Sequence, residues 1–363
     1  MRTYPRIETL KACAYSIPTD GLEADGTLSW DKTILVVVEV TAAGTRGTGY
    51  TYSDAAVAPL INTILAKAVC GREAIAIPAA HSAMLDAIRN LGRPGLVAGG
   101  ISAVDAALWD LKGKLLGQPV AALLGPARDR VPVYGSGGFT SYPVDRLREQ
   151  LQGWRDEGMR WVKMKVGSDP AADAERVAAA RAAIGDTQLF VDANGAYERK
   201  QAIAMAERFA EAGVVYFEEP VSSDDLEGLR LLRDRAPAGM RIAAGEYGYD
   251  PFYFRRMLKA DAVDVLQADA TRCLGVTGFL RVDALCDAHP LPLSAHCAPS
   301  LHRHPALAAT RLWNIEWFYD HVRIEQMLFD GAPTVREGAI SVDWSRPGLG
   351  IEFKRADAER YRV

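Results

Sequence analysis

Residues 161–166, WVKMKV, are a short apolar run that ends in charge, and the same design recurs down the chain. QLFVDA (188–193), VVYFEE (214–219), RIAAGE (241–246), DVLQAD (264–269), LPLSAH (291–296) and WNIEW (313–317) follow it, and VPVYGS (131–136) precedes it. Amphipathic segments lie between these runs. Asp169-Pro170 reads as a cap with proline at the first helical position, and Gly185 ends the helix that follows. Ile203, Ala206, Phe209 and Ala210 share a helical face before Gly213. Eight strands alternating with helices predict a parallel (β/α)8 TIM-type barrel over residues 129–330. The alternative, a doubly wound open sheet, needs a glycine-rich phosphate loop after its first strand. GSGGF at 135–139 lacks that G-x-G-x-x-G spacing.

The residues at the strand ends carry the chemistry. The runs close on Lys163 and Lys165, Asp192, Glu218 and Glu219, Glu246, Asp269, His296 and Glu316; from Lys165 to Glu316 they stand 20 to 28 residues apart, about one β/α unit. In a barrel these ends meet on one rim, where active sites of this fold are built. A single such residue is most simply a helix cap or the start of a polar loop. Seven in succession are not, because buried strands rarely end in ionisable groups. Asp192, Glu218 and Glu246 close three consecutive strands, and three converging carboxylates repel one another unless a cation lies between them. Oxygen-only ligation suits Mg²⁺, with Mn²⁺ as the alternative. Lys163 and Lys165, two apart on one strand, project from one face, and their mutual repulsion is expected to lower their pKa values and make one a usable base. Asp269 and His296 end neighbouring strands, so the carboxylate can orient the imidazole. His302 and His304 form an H-x-H of the kind that holds an amidohydrolase metal, but they follow the seventh strand instead of ending the first, so His304 reads as packing and His302 stays open. No sequence signal makes Cys297 a nucleophile.

The first third is of a different kind. TILVVVEV (33–40) and TGYTY (48–52) read as a hairpin, Asp54 as the cap of a helix ending at Gly71, and Ser102 as the opening of another ending at Gly117. An α+β capping domain over residues 1–128 is expected, completed by the tail at 331–363. Residues 16–30 and 49–54 are expected to be loops that close over the rim, with Tyr50, Tyr52 and Trp30 lining a substrate pocket; capping-domain core is the plainer alternative for these aromatics. Glu23 and Asp25 there would sit badly with a dianionic substrate.

Composition narrows the class. The 363 residues are 49% hydrophobic and 24% charged with a net charge of −4, and no dense Lys/Arg run marks a nucleic-acid binder. No apolar stretch approaches a membrane span, and the amino-terminal segment lacks a signal-peptide core. The cysteines at 13, 70, 273, 286 and 297 form neither a disulfide framework nor a zinc ribbon. A cytoplasmic enzyme, or a large binding domain, is expected.

The lysine pair on the second strand, Asp/Glu/Glu on the next three, Asp on the sixth and His on the seventh resemble the enolase superfamily, and more narrowly its mandelate racemase subgroup. ISAVDAALWDLKGKLLGQPV (101–120), VKMKVG (162–167), VDANGAY (191–197), FEEP (217–220) and AAGE (243–246) carry the likeness across essentially the whole chain. Relatives resembling muconate lactonizing enzymes carry lysine where this chain has Asp269. The resemblance implies a capping domain formed by both chain ends and a Mg²⁺-bound carboxylate substrate. It implies proton abstraction beside that carboxylate by Lys165 or by the His296–Asp269 pair, through an enediolate. Lys163 then touches the substrate carboxylate, Glu316 hydrogen-bonds the enediolate, and Asn194 joins the substrate contacts. Dehydration of a sugar acid is the outcome expected first; racemisation or epimerisation, and cycloisomerisation, use the same groups. A non-catalytic binding protein, or an unrelated Mg²⁺ aldolase needing no His–Asp pair, are the competing classes. Relatives commonly form dimers to octamers, so a homo-oligomer is implied.

Overall fold

The computed structural model describes residues 4–363; Met1 to Thr3, with which the capping segment was expected to begin, lie outside them. Eight parallel strands form the barrel: β4 (Val131–Gly137), β5 (Trp161–Lys165), β6 (Gln188–Asp192), β7 (Val214–Glu218), β8 (Arg241–Ala244), β9 (Val265–Ala268), β10 (Leu293–Ala295) and β11 (Leu312–Phe318). They pair in sequence order, and β11 closes on β4.

Strand alternation divides each run between two environments. Outward-facing Val162, Met164, Val191, Phe217 and Leu266 belong to the large core beneath the helices. Inward-facing Tyr134, Trp161, Phe190, Tyr216 and Val265 form a separate cluster that fills the barrel. Two residues further along the same inward faces come Ser136, Lys163, Asp192 and Glu218. The aromatic layer thus floors the charged one. Parallel register sets Lys165 beside Asp192, and Asp192 beside Glu218.

Ahead of the barrel, β1 (Thr9–Ala24), β2 (Ser29–Ala42) and β3 (Thr45–Tyr52) form an antiparallel sheet packed on the helix Leu96–Leu116. Two expectations need correction here. Residues 16–30 are not a loop: Ser16 to Ala24 extend β1, Ser29 and Trp30 begin β2, and only the tip at 25–28 turns; residues 49–52 are not a loop either but belong to β3, in line with the hairpin. The sequence reading missed this strand because Pro18, Asp20 and Gly21 look like turn residues; the pairing shifts register between Pro18 and Glu23 and so accommodates them. Ser102 does not open a helix either. That helix starts at Leu96 after Gly95, and the Ser102 hydroxyl donates to Ala98 O and accepts from Leu274 N and Gly275 N. Asp54 does accept from Ala56 N just before the helical stretch that begins at Val57.

The hairpin tip lies on the barrel rim. A Cβ on Gly26 would stand 2.3 Å from Ala193 O and 2.7 Å from Val166 O, so only glycine permits this approach. Thr140 N and Oγ1 donate to Ala24 O and Asp25 O, and the Trp30 ring meets Phe139 edge-on at 5.6 Å. After the last barrel helix the chain returns to the first sheet: Phe353 contacts Tyr15, and Val363 N donates to Ala14 O. Ala339–Ile340 also pairs with the start of β4. Among the described residues, no helix is long and apolar enough to cross a membrane.

Candidate active site

The mouth of the barrel holds a cavity of about 500 Å³, walled by Lys165, Asn194, Glu246, His296 and Glu316 from the strand ends and by Trp30, Lys32 and Tyr52 from the capping sheet. Below it, ligand oxygens from Asp192, Glu218 and Glu246 lie within 4.8 Å of one another. Asp192 and Glu218 end their strands. Glu246 reaches inward because Gly245 takes φ 138°, where a Cβ would sit 2.1 Å from Gln267 O. The buried Glu218 Oε1 has no hydrogen-bond partner. Burial, then the neighbouring Asp192 charge, pushes the Glu218 carboxyl up to about 8. Three clustered carboxylates with a buried, unpartnered oxygen suit a hard divalent cation.

The two lysines respond to these anions. Lys163 is wholly buried, its ammonium 2.8 Å from both Glu218 and Glu316 and 3.3 Å from Asp192. It was expected at the substrate carboxylate; here it lies beneath the cavity, and its charge acts through those side chains. Lys165 faces the cavity, donating to Asp192 and, at 3.0 Å, to Asn194 Oδ1. Burial disfavours its charge, but the Asp192 carboxylate outweighs burial and raises its pKa above the ordinary lysine value. Lowering by the lysine neighbour was expected; in this structure the nearby carboxylates dominate.

Across the rim, His296 Nδ1 stands 2.8 Å from Asp269 Oδ2, whose other oxygen accepts from Thr271 N. That leaves His296 Nε2 turned toward the cavity, 3.3 Å from Glu246 and 3.7 Å from Glu316. Burial opposes a charge on His296, yet the Glu246 and Glu316 carboxylates raise its pKa. Glu316 Oε1 is held by Ser136 Oγ at 2.6 Å as well as by Lys163.

The capping aromatics separate. Trp30 and Tyr52 reach the cavity; Tyr52 stacks on His321 with centroids 3.5 Å apart, and Trp30 Nε1 donates to Glu23. Tyr50 does not. It shares a face of β3 with Tyr52, the two rings edge-on at 5.8 Å, but it is fully buried two residues deeper than the cavity wall, and its hydroxyl donates to Glu325 at 2.7 Å. Its assignment to substrate binding is therefore corrected to packing between sheet and barrel. Asp25 lies on the wall, while Glu23 is buried behind Trp30 and, by burial and then the Asp320 charge, stays protonated up to about 8. His302 and His304 are both clamped by backbone: His302 between Ala270 N and Cys297 O, His304 between Ala121 N and Leu349 O. Sequence reasoning missed Arg272, which touches Glu246 and Asp269 from three residues beyond Asp269. It also missed Lys32, because strand β2 had been read as starting only at Thr33.

Residues 146–358 match the Enolase C-terminal domain-like family, and residues 24–125 match the Mandelate racemase / muconate lactonizing enzyme N-terminal domain. A mandelate racemase/muconate lactonizing enzyme-like protein of Rubrobacter xylanophilus superposes with TM-score 0.97 at 53% identity, over 99% of this chain and all of that one. The 3,6-anhydro-alpha-L-galactonate cycloisomerase of Streptomyces coelicolor is 32% identical over 96% of this chain and 98% of its own length. The L-talarate/galactarate dehydratase of Salmonella typhimurium is 32% identical over 87% of this chain and 80% of its own. Its structure, liganded with Mg and L-lyxarohydroxamate, superposes with TM-score 0.90 at 29% identity, covering 99% of this chain and 94% of that chain.

Proposed function

This chain belongs to the mandelate racemase / muconate lactonizing enzyme family of the enolase superfamily, and from that premise we propose that it is a Mg²⁺-dependent sugar-acid dehydratase. One observation carries the reading. Lys165 and the Asp269–His296 pair reach a single cavity from β5 and β10, either side of the Asp192–Glu218–Glu246 cluster. The dehydratase relative and its Mg-bound structure support both the reaction and the cation.

Asp192, Glu218 and Glu246 would hold Mg²⁺, which supplies charge that stabilises the substrate carboxylate as it becomes an enediolate. With those carboxylates engaged, the attraction that holds Lys165 protonated weakens, and its amine can take the proton from the carbon beside the carboxylate. The C–H electron pair passes into the enediolate. His296, kept in one orientation by Asp269, gives its Nε2 proton to the hydroxyl on the next carbon. That C–O bond breaks, water leaves, and the resulting enol becomes a 2-keto-3-deoxy acid. Glu316 borders the cavity with its charge offset by the buried Lys163 beneath it, and Asn194 holds Lys165 in place. Trp30 and Tyr52 close the cavity on the sugar chain and exclude water.

The relative from Streptomyces coelicolor keeps cycloisomerisation as a second reading. Mass spectrometry decides between them: a pool of 2-hydroxy and sugar acids is incubated with enzyme and Mg²⁺ in D2O. Loss of water from one component is expected. Deuterium at C2 without loss of water would replace the dehydratase reading by an epimerase, and a ring change by a cycloisomerase.

A further inference from the structure

Beside the three carboxylates stands a second group of potential ligands with a different chemistry. His296 Nε2, Cys297 Sγ and Glu316 Oε2 lie within 4.8 Å of one another. The thiol is 3.2 Å from the imidazole nitrogen and 3.4 Å from the carboxylate oxygen, and these last two are 3.7 Å apart. A tetrahedral zinc ion bound to one sulfur at about 2.3 Å and to nitrogen and oxygen at about 2.0–2.1 Å has ligand–ligand edges of about 3.3–3.6 Å. The three atoms already stand within a few tenths of an ångström of such a tetrahedron's face.

Each ligand is fixed from behind. Asp269 holds His296 Nδ1 at 2.8 Å, so Nε2 carries the free lone pair; a carboxylate–histidine pair of this kind orients a metal-binding imidazole. Ser136 and Lys163 occupy Glu316 Oε1, leaving Oε2 toward the thiol, with Cys297 N donating to it at 3.1 Å. Cys297 takes φ 52°, an uncommon backbone for a residue with a side chain, and this turns its thiol toward the imidazole. All three residues line the cavity, so the fourth position is open to water or to an acid.

The geometry points to a site for one thiophilic divalent cation, of which Zn²⁺ is the type, formed by His296, Cys297 and Glu316 and adjoining the Asp192–Glu218–Glu246 cluster, whose Glu246 stands 3.3 Å from His296 Nε2. Binding replaces the thiol proton by a metal–sulfur bond and releases that proton to solvent. On the proposed function, occupancy removes the Nε2 lone pair and proton from the reaction, so Zn²⁺ inhibits the Mg²⁺-loaded enzyme.

Co²⁺ is the spectroscopic probe. Added to Mg²⁺-saturated protein, one equivalent is expected to give tetrahedral visible bands and a thiolate-to-metal charge-transfer band in the near ultraviolet. Both signals should disappear in Cys297→Ser and persist in Glu218→Gln. Should Cys297→Ser fold poorly by circular dichroism, competition serves instead: Zn²⁺ should bleach the wild-type bands stoichiometrically while excess Mg²⁺ leaves them. No charge-transfer band, a band that survives Cys297→Ser, or one that Mg²⁺ displaces would overturn the assignment. The readout needs no turnover, so a failed dehydratase reading leaves it intact.

Discussion

Replacing Tyr50 by phenylalanine tests whether this buried ring serves the fold or the substrate. Its hydroxyl donates to Glu325 Oε1 at 2.7 Å, while Ser300 N donates to Oε2 at 2.9 Å. Tyr52 Oη is a weaker donor to the same oxygen, at 3.5 Å, and is shared with His321 O at 3.4 Å. Burial pushes the Glu325 carboxyl up to about 7, against the 4.5 of an exposed one, and the Tyr50 bond works in the opposite direction. A raised folded pKa means that the stability contributed by protonated Glu325 is full below pH 4.5 and is lost as pH rises through about 7. Tyr50→Phe removes a donor from the carboxylate, so its destabilising effect grows on the alkaline side. A neutral hydrogen bond is worth about 1 kcal/mol and one to a charged group about 1.5–3 kcal/mol. Urea unfolding should therefore show a loss of about 1 kcal/mol near pH 5 and about 2–3 kcal/mol near pH 8. For a chain of 363 residues that alkaline loss lowers Tm by roughly 3–4 °C. KM should not move. A tenfold rise in KM with unchanged unfolding would put Tyr50 against the substrate, and a pH-independent loss would show that Glu325 does not titrate there.

Glu246→Gln should weaken Mg²⁺ binding in calorimetry while circular dichroism stays that of the wild type; unchanged affinity would remove Glu246 from the ligand set. His296→Asn should lower turnover by about 10²–10⁴-fold, the usual contribution of a positioned acid or base. Undiminished activity would favour a Mg²⁺ aldolase that needs no His–Asp pair. Ser102→Ala leaves the buried Leu274 and Gly275 N–H groups without their acceptor, at about 1–3 kcal/mol for an unmet buried donor. Scanning calorimetry should detect the loss with kcat/KM unaltered, and an unchanged melting profile would mean that water replaces the hydroxyl.

The barrel was legible in the sequence because two periodicities coincide. Period-two runs such as WVKMKV must face two different environments, and each is followed by one helix before the next charged strand end. The same regularity brought out Lys165, Asp192, Glu218, Glu246, Asp269, His296 and Glu316, since a closed parallel barrel sends every strand end to one rim. In the capping sheet no such closure constrains the pattern. Turn-forming residues inside β1 hid a 16-residue strand, and Ser102, a common cap residue, lies within a helix because its hydroxyl is used in a contact with residues 274–275.

By itself, then, the sequence determined which residues share a face and which strand ends carry charge, because local periodicity is written into the covalent chain. Only the tertiary structure decided how far along one face of β3 the cavity reaches, so that Tyr52 lines the site while Tyr50, two residues deeper on the same face, is sealed against Glu325. It alone decided that Lys163 lies under three carboxylates, and that Cys297 turns its thiol onto His296 and Glu316. Distance and burial between residues far apart in the chain fix charge, hydrogen-bond partners and pKa, and no local pattern encodes them.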